Sequence, residues 1–144
     1  MATSLRDLGL DAVVLSGSAS EQSDVAQTAD AMRSTGIKVQ DVSGQTGIAQ
    51  LMAVIEGAAI TVANDSAALH MAVGLGGRCL GLFGPTDPAI VGPWQRDSQA
   101  LRAPLIEGEP QHYRDGRIGD SIMSRLSVEQ VADRAASLIA EWGV

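Results

Sequence analysis

Short apolar runs rich in valine and isoleucine alternate with stretches of helical periodicity as far as Phe83, and few folds accept that order. Asp11-Ala12-Val13-Val14-Leu15-Ser16 reads as a strand. Val25, Ala29 and Met32 follow at helical spacing and mark one face of a helix that ends near Gly36, with Ser18 and Glu21 forming an S-x-x-E capping box at its start. A second strand, Ile37 to Val42, leads through Ser43-Gly44-Gln45-Thr46 into a helix with the apolar face Ile48, Leu51, Met52 and Ile55. Ala58 to Ala63 is the third strand. A short helix carrying Leu69, Ala72 and Val73 closes at the glycines 74, 76 and 77, and Arg78 to Phe83 is the fourth strand. Strands separated by single helices must run parallel, because each crossover returns the chain to its starting edge with right-handed connection. The sequence therefore predicts an α/β fold with a doubly wound parallel sheet.

Beyond Phe83 the pattern loosens. Gly84 to Pro93 holds three prolines and two glycines and is expected to be loop, while Ala100-Leu101-Arg102 suits a short strand. Pro104 to Ser124 is polar and broken and suggests no regular element beyond a turn at Ile122-Met123. Ser127 and Gln130 then cap a last helix with Val128, Val131, Ala135, Leu138 and Trp142 on one face. At 144 residues and 45% hydrophobic content the chain is the size of one domain spanning residues 1–144. With one Phe, one Tyr and two Trp, aliphatic residues must fill its interior, which suits helices laid on a parallel sheet.

Charge and cysteine usage narrow the function classes. A net charge of -7 and a single lysine, Lys38, argue against nucleic acid, which needs clustered cations. Cys79 is the only cysteine and lies in an apolar run, so neither a disulfide framework nor a thiolate metal site is expected. No stretch has the roughly 20 apolar residues of a membrane span, and the first residues lack a signal pattern. A cytoplasmic setting follows as the expectation.

The chemistry is expected in the loops after the strands. In a parallel α/β sheet these open on one edge, where ligands bind. Here they are Ser16 to Ser20, Ser43 to Thr46, Asn64-Asp65-Ser66 and Gly84 to Pro88, all built from small polar residues. Each alone could be no more than a cap or turn. Asp65 is expected as N-cap of a helix Ser66 to Leu75, leaving the amides of Ser66, Ala67 and Ala68 outward at the positive end of the helix dipole, where phosphate binds readily. His70 lies one turn beyond Ser66 on the same face and could donate to the same anion, although a histidine so placed is more often a surface or structural group. Gly84 and Thr86 could add amide donors from a loop stiffened by prolines.

The stretch "NDSAALHMAVGLGGRCLGLFGPTDPAIVGPW" resembles a signature of glycosyltransferase family 9, the heptosyltransferases, in which D-[ST]-x-x-x-H is followed by F-G-P-T-D-P. The likeness extends to "LSGSASE", "DVSGQTGIAQLMAVI" and "IMSRLSVEQV". It implies a GT-B enzyme with two Rossmann-like domains across a cleft, of which this chain looks like the C-terminal, donor-binding half. Carried over by position, Asp65, Ser66, Ala67 and His70 would hold the diphosphate and sugar of an ADP-heptose-class donor. Glu21 would bind the ribose hydroxyls, Thr46 would line the adenine pocket, and Gly84, Pro85 and Thr86 would close the floor near the phosphates. The implied reaction inverts the anomeric carbon without a bound metal and delivers the sugar to the lipopolysaccharide inner core. The acceptor and the general base would belong to an N-terminal domain, so this chain would carry no catalytic residue, and the full enzyme could sit peripherally at the inner membrane. Ala67 stands where the family has glycine, and Cys79 where it usually has proline.

Two other readings compete. The chain could be a non-catalytic nucleotide-binding or regulatory module, or Ser66, His70 and Asp87 could form a hydrolase constellation, although Ser66 lacks the G-x-S-x-G elbow.

Overall fold

The computed structural model of the protein describes residues 9–109 and 116–143. Residues 1–8, on which the expectation about a signal pattern falls, and residues 110–115, inside the stretch read as irregular, lie outside the described residues. The chain divides into two compact units, Met1–Val54 and Ile55–Val144.

In the first unit β1 (Ala12–Leu15) pairs in parallel with β2 (Lys38–Asp41), Ala12 opposite Lys38 and Leu15 opposite Asp41. Between them a 3₁₀ turn (Ala19–Glu21) feeds α1 (Gln22–Arg33). Ser18 and Glu21 pair as the sequence suggests, but they close this short turn rather than opening the helix directly. Gly36 ends the connection with φ +84°, a left-handed conformation that costs glycine nothing, and its amide donates back to Arg33 O. Burial alternates along both strands. Val13 and Val39 turn inward with Leu10 and Met32 around the buried Ile37, while Val14, Lys38 and Gln40 stay exposed. Of the expected face on α2 (Ile48–Glu56), Ile55 is buried but Ile48 and Met52 are exposed, because a periodic stripe reveals a helix without revealing how much of it is covered.

The second unit holds β3 (Thr61–Asn64), β4 (Cys79–Phe83) and β5 (Ala100–Arg102), all parallel in the order β3-β4-β5. The run Cys79-Leu80-Gly81-Leu82-Phe83 is apolar throughout because β4 is central, and Cys79, Leu80 and Phe83 are fully buried. The connection from β3 to β4 is α3 (Ala67–Gly74), which buries Leu69 and Ala72. The last helix, α6 (Val128–Trp142), supplies Val131, Ala135, Leu138 and Ile139 to the core, while Val128, expected on that face, is exposed. Its cap is the expected one: Ser127 Oγ accepts from the Gln130 amide at 3.2 Å, and Gln130 Oε1 accepts from Ser127 N at 2.9 Å.

Two segments differ from the sequence reading. Within the expected loop Gly84 to Pro93 the chain forms one helical turn, α4 (Pro88–Val91), because Asp87 caps it from Oδ1 to the Ala89 amide at 3.0 Å and Pro88 stands at the first helical position. Within the stretch read as irregular lies α5 (Gly116–Met123), where tertiary burial of Ile122 outweighs a glycine-interrupted polar sequence. Both sheets are parallel and flanked by helices, which establishes the Rossmann-like α/β class. Strand pairing forms two sheets where the sequence suggests one; the loops after β1 and β2 belong to the first unit and those after β3 and β4 to the second.

Candidate functional site

In the second unit the loops after β3 and β4 border an open cavity of about 160 Å³ lined by Asn64, Asp65, Leu82, Gly84, Pro85, Thr86 and Met123. Four of the residues singled out in the sequence, Asp65, Gly84, Pro85 and Thr86, thus meet at one place. The strand register explains this: Asn64 lies opposite Leu82, so β3 and β4 run out together and their loops start side by side.

The helix after β3 begins one residue later than expected. Asp65 is not its N-cap, because the Asp65 amide still donates to Leu82 O at 3.2 Å and keeps the residue in the ladder. Ser66 is the N-cap, extended at φ -153° and ψ 169°, and its hydroxyl makes no capping bond. Ala67 and Ala68 open the helix, where backbone amides have no intrahelical acceptor. Ala67 needs no left-handed backbone, since the only non-glycine residue with positive φ among those described is Gln95. Alanine in place of glycine therefore introduces no backbone strain.

His70 is exposed on α3, with Nε2 3.7 Å from Asp65 Oδ1, too long for a hydrogen bond. No hydrogen bond joins Ser66 to His70 among the described residues, and Asp87 Oδ1 accepts from Ala89 N and faces Arg102 at 3.4 Å. Ser66, His70 and Asp87 are therefore not assembled as a hydrolytic triad.

Arg102 and Met123 were not legible as site residues. Arg102 Nη2 donates to Pro85 O at 3.1 Å from the end of β5. Met123 belongs to a helix that the sequence does not announce, and its Cγ and Sδ lie 3.0 Å from where a Cβ on Gly84 would stand.

In the first unit Glu21 lines a separate cavity of about 190 Å³ with Leu15, Ser16, Asp24, Val25 and Thr28. Glu21 Oε2 accepts from Ser18 Oγ at 2.5 Å and from Ser18 N at 2.8 Å, and these bonds hold its carboxyl below the usual carboxylate range. Oε1 takes part in no hydrogen bond among the described residues. Thr46 is half-buried in the loop after β2 but does not line that cavity. The loops after β1 and β2 are stapled together: Gly44 N donates to Gly17 O at 2.9 Å, and Gln22 Nε2 donates to Ser43 O at 2.9 Å. The buried Ser43 is fixed in turn by Asp41 Oδ1, which accepts its hydroxyl at 2.6 Å and its amide at 2.8 Å. That pair of bonds lowers the Asp41 pKa.

Among known proteins, a family model described as glycosyltransferase family 9 (heptosyltransferase) matches residues 1–117. Lipopolysaccharide heptosyltransferase 2 of Salmonella typhimurium is 27% identical over 111 residues, covering 73% of this chain and 30% of that protein. Two solved structures superpose with a TM-score of 0.72. One is a family 9 glycosyl transferase from Veillonella parvula, 21% identical over 98% of this chain and 42% of its own. The other is the ADP-heptose LPS heptosyltransferase II of E. coli, 22% identical over 99% of this chain and 41% of its own. The chain thus spans less than half the length of each of these relatives.

Proposed function

This chain belongs to glycosyltransferase family 9, the heptosyltransferases, and on that premise we propose that it is the donor-binding, C-terminal half of a two-domain GT-B enzyme. Its ligand is a nucleotide-sugar of the ADP-heptose class. The observation that carries this reading is the start of α3, whose amides follow directly in the chain on Asp65, and Asp65 lines a cavity with Gly84, Pro85 and Thr86; Ser66, Ala67 and His70 are not among its lining residues. No cation is among the residues that line that cavity, and on this reading the diphosphate is held mainly by backbone dipoles, with Ser66 Oγ and His70 as side-chain donors. Glu21 and Thr46 are assigned to the ribose and adenine by the family resemblance, and the free Oε1 of Glu21 suits a sugar hydroxyl.

In glycosyl transfer an acceptor oxygen attacks the anomeric carbon as the nucleoside diphosphate departs. Donors aimed at the departing phosphate lower the barrier, and a base removes the acceptor proton. This chain supplies the first contribution. The base and the site for the lipopolysaccharide inner-core acceptor are assigned to an N-terminal domain, and transfer inverts the anomeric centre without a resident metal. The chain alone binds donor and transfers nothing. The same reading places the enzyme in the cytoplasm, at the inner face of the membrane that carries the growing acceptor.

The decisive variant is Ala67→Pro. Proline is well tolerated at the first helical position, and the extended Ser66 before it already has the backbone that proline requires of its predecessor. The substitution deletes one amide donor and little else. Loss of one hydrogen bond to a charged group predicts roughly 10- to 100-fold weaker ADP binding by calorimetry, with an unchanged circular-dichroism spectrum. Equal binding by both proteins would remove the helix start from the site.

A further inference from the structure

We propose that Arg102 is a positioning residue for the donor diphosphate, acting through the loop Gly84 to Asp87; the inference rests on the donor-binding reading above. β5 delivers Arg102 opposite Phe83, and Ala103 N donates to Phe83 O at 2.7 Å, so the strand is bonded to the chain just ahead of the loop. From there the guanidinium holds the loop at two points, the Pro85 carbonyl at 3.1 Å from Nη2 and the Asp87 carboxylate at 3.4 Å from Nη1. Both side chains are about three-quarters buried, at 24% and 26% exposure, so the pair is only partly screened by solvent. Arg102 Nε is buried and has no hydrogen-bond partner among the described residues. An apolar side chain would fill this place without that cost, and the two contacts on the loop account for a cation here.

Two consequences follow from this clamp. In a trans peptide the carbonyl and the next amide point in opposite directions within one plane, and no cis peptide occurs among the described residues. Fixing the Pro85 carbonyl toward Arg102 therefore turns the Thr86 N–H away from Arg102. Thr86 lines the cavity and Arg102 does not, and on this proposal the Thr86 amide is the donor that the clamp keeps available to the ligand. The second consequence is electrostatic. Asp87 would repel a diphosphate bound beside Thr86, and the guanidinium offsets its charge at the same Oδ1 that accepts the capping bond from Ala89 N.

The test is ADP titration by calorimetry of the full chain and of Arg102→Met, Asp87→Asn, the double variant and Arg102→Lys. Asparagine caps helices as well as aspartate, so Asp87→Asn removes the charge and keeps α4. Arg102→Met is expected to weaken ADP binding roughly tenfold in the natural background and only about threefold in the Asp87→Asn background, because the charge part of the effect is then gone. Arg102→Lys retains the charge without the two-point fork and is expected to fall between, with an unfolding midpoint close to the parent. Unchanged affinity in Arg102→Met, or a loss of equal size in both backgrounds, overturns the inference and leaves the donor-binding reading standing. Failure of the parent chain to bind ADP overturns that reading itself and this inference with it. If Arg102→Met does not fold, Arg102→Lys decides: several-fold weaker binding supports the clamp, and unaltered binding refutes it.

Discussion

Gly81 shows how little slack the second unit has around its central strand. A Cβ there would stand 2.7 Å from a Phe83 ring carbon and 2.8 Å from Leu69 Cδ2, inside any real contact distance. Phe83 and Leu69 are themselves fully buried. Gly81→Ala is therefore expected to destabilise the protein by about 1–3 kcal/mol, the usual cost of overpacking, read as a lower midpoint in urea with an unchanged slope. What the sequence made legible was where some candidate residues would lie. Asp65, Gly84, Pro85 and Thr86 come from two loops that strand periodicity alone locates, and they share a cavity. Arg102 was not legible, because an arginine at the end of a three-residue strand has no pattern that reveals which carbonyl it reaches. The N-cap moved from Asp65 to Ser66 because strand pairing holds the Asp65 amide, and a ladder bond to another strand leaves no trace in local sequence.

Among the elements, the strands and the two longest helices follow from periodicity and caps, whereas α5 does not. It is anchored from outside by an ion pair that local sequence cannot show. Arg125, just beyond its end, donates from Nη2 to Glu109 Oε1 at 2.5 Å and from Nη1 to Glu109 Oε2 at 2.7 Å, and also reaches Pro104 O at 3.0 Å. The bonds from Arg125, supported by the Ile106 amide, hold the Glu109 carboxyl down at about 2, against an ordinary value of 4.5. A carboxyl whose pKa is depressed on folding contributes its stability above the unfolded value and loses it as pH falls through the folded one. The latch should therefore be intact above pH 4.5 and weaken progressively toward pH 2. Thermal midpoints of the parent and of Glu109→Gln are expected to differ most at neutral pH and to converge across that window. A constant difference would show that the pair does not stabilise the α5 region. Met123 lines the cavity from this same helix, so the latch also bears on the shape of the site.

For the whole molecule, the parallel α/β class was evident from the alternation of strands and helices, and membership of the heptosyltransferase family rests on a match across residues 1–117. The division into two units was not evident, because periodicity identifies strands without saying which of them pair. Both units present loops of small polar residues after their strands, and in each the loops are held by bonds that leave donors or acceptors free: Glu21 Oε1 in one, the first amides of α3 in the other. The central claim is that the diphosphate of an ADP-type donor is held by backbone amides in the second unit. Amide chemical-shift mapping of the ¹⁵N-labelled chain during titration with ADP tests it most directly. The account predicts the largest shifts at Ser66, Ala67, Ala68, Gly84 and Thr86, saturating together; shifts confined to other residues, or none at all from a folded protein, would contradict it.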